Sequence, residues 1–446
     1  MGKTIIKDIN IINEGKITPS DILIVNDRIE KIASHVSSVG NATEIKGDGK
    51  YLMPGVIDDQ VHFREPGLTH KANIFSESRA AIAGGTTTFM EMPNTVPNAL
   101  TQELLADKYE IAMNSSLANY SFFMGTSNDN YEEVMKTDLS KICGLKIFMG
   151  SSTGNMLVDN ENVLNRIFAN FNGLIATHCE DEATVKANFE HYKSVYGNST
   201  PPYDIHALIR NEEGCYKSSS FAVELAKRNK TRLHILHISS SQEILLFDNS
   251  IPLEQKHITS EVCVHHLWFD AEDYKRLGTK IKCNPAIKHG HRENLFQALL
   301  DDRFDIIATD HAPHLMSEKE GTYWEAHAGL PLVQHSLQAM LDFHHQGKIS
   351  LERIVEKMSH APAQCFKIEE RGYIREGYKA DLTMFDLNKP QLCTKDNLFA
   401  KCGWSPFEGH EFQSSVEKVW VNGHLSYNDG ELAKESRAER LSFDRK

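Results

Sequence analysis

The spacing of apolar and polar positions changes twice along the chain. In the first 50 residues it is short and strand-like. KTIIKDINIIN and DILIVNDRIEKIA cluster β-branched residues, and Asn26-Asp27 is a turn signal between two of the runs. The same texture returns near the other end, where ADLTMFDL reads as one strand and VEKVWVNGHLSY as a hairpin around Asn422-Gly423. Between these ends, apolar runs alternate with stretches of helical period. The runs are YLMPGVID, TTTFMEM, NYSFFMG, CGLKIFM, GLIATHC, RLHILHI, HITSEVCV and FDIIATD. Several are continuously apolar, as parallel strands buried on both faces are. Stretches such as NIFSESRAAIAGG, SSFAVELAKRN and RENLFQALLDD carry the helical pattern. Eight β units with intervening helices are the count of a (β/α)8 barrel. The pattern predicts an α/β fold, with a TIM barrel over residues 53–374. Both chain ends, 1–52 and 375–446, read as β.

Composition narrows the class. The chain has 446 residues, 40% of them hydrophobic and 24% charged, an ordinary globular balance. A net charge of −13 argues against nucleic acid as the main partner, because phosphate binding needs a basic surface. No apolar run approaches the roughly 20 residues of a membrane span. The start, MGKTIIKDIN, has no apolar signal-peptide core. Eight cysteines are scattered without a C-x-x-C pair, which predicts a reducing, cytoplasmic setting. Cys143, Cys179, Cys263 and Cys283 lie in apolar segments and read as packing residues.

Chemistry enters at the strand ends. The first strand ends at Gln60 and His62, the second at Asn94 and the fourth at Lys146. The fifth ends at His178, the sixth at His237, the seventh at His265 and His266, and the eighth at Asp310. In a barrel these ends converge on one mouth. A single strand-end histidine reads as a hydrogen-bonded structural residue, but the whole set reads as a metal site. Imidazoles and a carboxylate, without thiolates and with open positions, favour catalytic zinc. Lys146 is costly as a buried ammonium. Burial lowers a lysine pKa, and a neutral amine reacts with carbon dioxide to give a carbamate that bridges two cations.

The ordered segments GVIDDQVHFREPG, AGGTTTFMEMPNT, GLKIFM, THCED, LHILHIS, EVCVHHL, KCNPAI and IATDHAPH resemble the serial motifs of dihydroorotases, in the cyclic amidohydrolase family. RGYIREGYKADLTMFD and KCGWSPFEG extend the resemblance over nearly the whole chain, and it implies that the barrel is joined to a small β-sandwich-like domain formed by both chain ends, 1–52 plus 375–446. It implies reversible hydrolysis of (S)-dihydroorotate to N-carbamoyl-L-aspartate in pyrimidine synthesis, by a metal-bound hydroxide. It implies that His62, Lys146 as a carboxylated lysine, His178, His237 and Asp310 hold one or two zinc ions, with Asp310 as catalytic acid/base. His62 would also lie against substrate. Further substrate contacts are implied at Arg64, Asn94, Asn284 and His314, and along the backbone at Ala328 and Gly329. A homodimer is a family expectation.

The chemistry suits these residues. A cation lowers the pKa of bound water from 15.7 to about 7. Arg64 offers a planar fork for a substrate carboxylate, and Asp310 can carry a proton from water to the leaving nitrogen. Two departures stand out. Gln60 occupies the place of the first histidine of a His-x-His pair, and its neutral amide oxygen is a weaker zinc donor than imidazole. Ala72 follows Lys71 where the family usually has Glu. The readings are therefore an active dihydroorotase with one weakened metal position, a hydantoinase-like cyclic amidohydrolase, or a non-catalytic dihydroorotase-like scaffold. His265 and His266 are open between mouth-lining and structural roles. Residues 315–328 are open between a lid and an ordinary loop. His234 faces away from the site by strand alternation.

Overall fold

A computed structural model of the chain describes residues 2–150 and 154–445. Its centre is the barrel that the apolar runs predict. The strands are Val56–Val61, Thr86–Glu91, Asn119–Phe122 continued by Met124–Gly125, Leu145–Phe148, Leu174–His178, Arg232–Ile235, Ile258–Cys263 and Ile306–Ala308. Neighbours pair in parallel around the ring. The ring closes where Val61 bridges His311 and His62 N–H donates to the His311 carbonyl at 2.7 Å. Strand positions are almost uniformly buried, which is why these segments read as unbroken apolar runs.

The helices begin where short polar side chains satisfy their first free N–H groups. Asn73 and Ser76 form a reciprocal cap on Ile74–Ala83, Asp181 caps Glu182–Tyr196, and Asn211 caps Glu212–Asn229.

Both chain ends build one mixed nine-stranded sheet. Lys3–Asn13 pairs antiparallel with Lys16–Val25, and Tyr51–Pro54 bonds on its other edge to Leu382–Asp386. The predicted hairpin is present, with Ser415–Val421 against His424–Asn428. Asn422 there has a φ of 47°, and a Cβ on Gly423 would lie 1.9 Å from the Asn26 carbonyl oxygen, so glycine is required.

The seventh strand stops at Cys263, and a short helix, Val264–Trp268, carries His265 and His266 away from the strand end. The last stretch of chain also does something its pattern did not announce. Residues 439–441 run beside the start of the third strand, with Tyr120 N–H donating to Glu439 O and Leu441 N–H to Tyr120 O. Leu441 and Phe443 then join Ile57, Cys143, Ile306 and Phe366 in an apolar layer at the barrel's N-terminal end. Arg445 donates to the carbonyls of Ile142, Cys143 and Phe366.

Candidate active site

At the opposite end of the barrel, one cavity of about 400 Å³ is lined by Gln60, His62, Arg64, Asn94, Lys146, His178, His237, Asn284, Asp310, His314, Ala328 and Gly329. The metal and substrate candidates named above thus meet in one place, whereas His265 and His266 of the strand-end set do not. Three of them, Arg64, His237 and Asp310, have positive φ values of 69°, 41° and 48°. Such backbone costs free energy outside glycine and concentrates at functional sites. It turns each side chain inward just past its strand.

The hydrogen bonds fix which nitrogen each histidine offers. His178 Nε2 lies 2.9 Å from Glu180 Oε2, so it donates there and leaves the Nδ1 lone pair free. That Nδ1 faces His237 Nε2 at 2.9 Å, and the buried His237 Nδ1 has no partner among the described residues. Burial holds both rings below the ordinary imidazole pKa, so neutral donors face the cavity. Burial pushes the Glu180 carboxyl up, but Arg210 and His178 outweigh it and bring its pKa down to about 2. A carboxylate behind a ligating imidazole is the usual support of a metal-bound histidine.

Across the cavity, His62 Nδ1 donates to Asn94 Oδ1 at 2.8 Å. Its Nε2 lone pair then faces Asp310 Oδ1 at 3.1 Å. Two acceptors at that distance repel unless a proton or a cation lies between them. Gln60 Nε2 donates to the same Asp310 oxygen at 3.2 Å, while Cys263 Sγ is 3.7 Å from Gln60 Oε1. Lys146 is 1% exposed, and burial brings its ammonium down to about 8, with Asp310 and Glu261 acting against that shift. This donor set fits a metal.

A second constellation lines the same cavity. Arg64 is buried, and its Nε donates to Pro313 O at 3.1 Å. His314 Nε2 is 3.1 Å from an Arg64 terminal nitrogen, and Trp404 Nε1 donates to His314 O at 2.7 Å. Asn284 Oδ1 accepts from His206 Nε2 at 3.1 Å. A Cβ at Gly329 would fall 2.4 Å from Ala312 O, so the wall there must be glycine.

Other histidines are placed elsewhere. His311 is turned out of the cavity: Nε2 donates to Glu77 at 2.8 Å and Nδ1 accepts from Leu332 N–H and Val333 N–H. His265 and His266 are buried and do not line the cavity; His266 Nε2 donates to Pro285 O at 3.1 Å. His234 lies between Asp59 and Glu261, away from the cavity lining.

The segment 315–328 is pinned on one side. Lys319 Nζ donates to the carbonyls of Lys282, His327 and Gly329 at 2.8–3.0 Å, and Lys282 Nζ donates to those of Tyr323 and Ala326. Glu180, Arg210 and Lys71 were not singled out by sequence reading. Glu180, two residues after His178, was the one with a visible signal.

Residues 51–425 match the amidohydrolase family. A dihydroorotase of Methanosphaera stadtmanae is 30% identical over 93% of this chain and 94% of its own length. An allantoinase of Solibacter usitatus is 28% identical over 99% of this chain and 97% of its own. The fold superposes with a TM-score of 0.93 on an L-hydantoinase (dihydropyrimidinase) from Arthrobacter aurescens, at 25% identity, covering 99% of this chain and 100% of that one. The chain belongs to the amidohydrolase family, and its relatives make it a cyclic amidohydrolase.

Proposed function

We propose that the protein is a dihydroorotase, interconverting (S)-dihydroorotate and N-carbamoyl-L-aspartate for pyrimidine synthesis. The observation that carries this choice over a hydantoinase is the buried Arg64 beside His314 in the cavity. A hydantoin ring has no carboxylate to neutralise that guanidinium, whereas dihydroorotate has one.

His178 Nδ1, His237 Nε2 and Lys146 would hold one zinc ion, with His62 Nε2, Asp310 and the Gln60 amide oxygen on the other side. When bound, zinc supplies Lewis-acid polarisation of the ring carbonyl and a lowered pKa for attacking water. Asp310 would take a proton from the attacking water and deliver it to the ring nitrogen as the C–N bond breaks. Arg64, Asn94, Asn284 and His314 hold the substrate, together with the backbone at Ala328 and Gly329. Lys146, brought to about 8 by burial, is a free amine often enough to add carbon dioxide, forming an N–C bond and releasing a proton.

The purified protein should interconvert the two compounds in an ultraviolet assay, with hydantoin and allantoin as competing substrates. Preference for either competitor would overturn the choice. No turnover at saturating zinc would favour the scaffold reading. Lys146→Ala should lose activity and tightly held metal together, and short carboxylic acids should restore both. Electron density for a free ammonium in a metal-loaded crystal would remove the carbamate.

A further inference from the structure

Lys71 sits behind the proposed carboxylate seat with no role in the chemistry described so far. It is buried, its Nζ is 3.1 Å from His314 Nδ1, and Glu318 pairs with it at 2.9 Å. At the other ring nitrogen, His314 Nε2 has two neighbours: Ala328 O at 3.0 Å and an Arg64 terminal nitrogen at 3.1 Å.

A neutral imidazole has one N–H and one lone pair. If the proton were on Nδ1, it would point at the Lys71 ammonium at 3.1 Å, with the Glu318 carboxylate farther off at 3.6 Å, and the Nε2 lone pair would face a carbonyl oxygen at 3.0 Å. With the proton on Nε2, Nδ1 accepts from Lys71 and Nε2–H donates to Ala328 O. Burial, followed by the charges of Arg64 and Lys71, holds the ring far below the ordinary imidazole range, which keeps it neutral. The remaining contact is then donor against donor: Nε2–H beside an Arg64 N–H. An anion entering the lined cavity relieves this by accepting from Arg64 and sharing the one Nε2–H with Ala328 O in a three-centre hydrogen bond.

We propose that Lys71 is a positioning residue that fixes His314 as the Nε2–H tautomer, so that His314 and Arg64 present a paired donor seat for a ligand carboxylate. The proposal rests on the dihydroorotase reading for the identity of that carboxylate, but not for the tautomer. It also gives Ala72 a context. The carboxylate partner of Lys71 comes from Glu318, in the segment after the eighth strand, and couples Lys71 to the segment that carries Ala328.

Nitrogen-15 spectra of ring-labelled histidine, with the His314 signal assigned by its loss in His314→Gln, read the tautomer directly. The expected wild-type result is a neutral ring protonated on Nε2. Lys71→Met should move the proton partly or wholly to Nδ1, and Lys71→Arg should keep it on Nε2. In kinetics, Lys71→Met should raise KM for dihydroorotate about tenfold with kcat nearly unchanged, and leave kcat/KM for neutral dihydrouracil where it was. A wild-type ring protonated on Nδ1, or a tautomer unmoved in Lys71→Met, overturns the proposal. The wild-type spectrum can overturn it alone, even if a variant fails to fold. Absence of dihydroorotate turnover would remove the proposed function while leaving the spectrum to judge Lys71 separately.

Discussion

The two walls of the cavity solve the same problem differently. On one side, His237 Nε2 meets the bare Nδ1 of His178 at 2.9 Å, and the carboxylate of Glu180 supports His178 from behind. On the other, the polar groups already engage one another: Asn94 holds His62, and Gln60 donates to Asp310. The first wall has two neutral imidazoles whose only side-chain hydrogen-bond partners at the cavity, among the described residues, are each other. The second has an amide that quiets the carboxylate with a hydrogen bond, where an imidazole would offer a lone pair. On the proposed reading, the difference teaches that Gln60 would leave one metal position with weaker ligands than the other.

Three experiments press on that contrast. Asp310→Asn removes the carboxylate among the groups facing the proposed metal, and turnover should fall about a thousandfold or more, with metal on the His178 side retained. Turnover within tenfold of wild type would identify another base. Glu180→Gln strikes the strong wall: metal affinity should fall about tenfold to a hundredfold in a competitive chelator titration. The same variant tests the acid behaviour of the metal-free protein. Glu180 has its folded pKa lowered from 4.5 to about 2, so its stabilisation is complete above about pH 4.5 and is lost as pH falls toward about 2. The excess stability of wild type over Glu180→Gln should shrink across that window, and a constant difference would show that Arg210 is not its partner in solution. Gln60→His strikes the weak wall and should tighten the second metal position by about tenfold, read by elemental analysis during zinc titration. Two equally tight metals in the unaltered protein would erase the contrast between the walls.

Much of this was legible because a barrel converts sequence order into a ring. Most apolar runs ended in one or two polar residues, and the fold brought all of those but the seventh strand's to one cavity. What stayed hidden was set by backbone and by distant partners. His265 and His266 looked like strand-end groups, but the strand stops at Cys263 and a helical turn redirects both. Of the two histidines in D-H-A-P-H, His311 is claimed by Glu77, a helix residue far away in sequence, and only His314 reaches the cavity. No periodicity carries that information. The partners of Lys71, His314 and Glu318, were hidden for the same reason, since both lie beyond the eighth strand.

The layer that Leu441 and Phe443 complete at the barrel's other end has a consequence for biosynthesis. These residues leave the ribosome well over a hundred positions after the eighth strand. Until then, Ile57, Cys143, Ile306 and Phe366 lack part of their apolar cover. The nascent barrel can pair its strands but cannot finish burying its base, so its final consolidation is a late event and its exposed underside is a natural place for a chaperone to hold it.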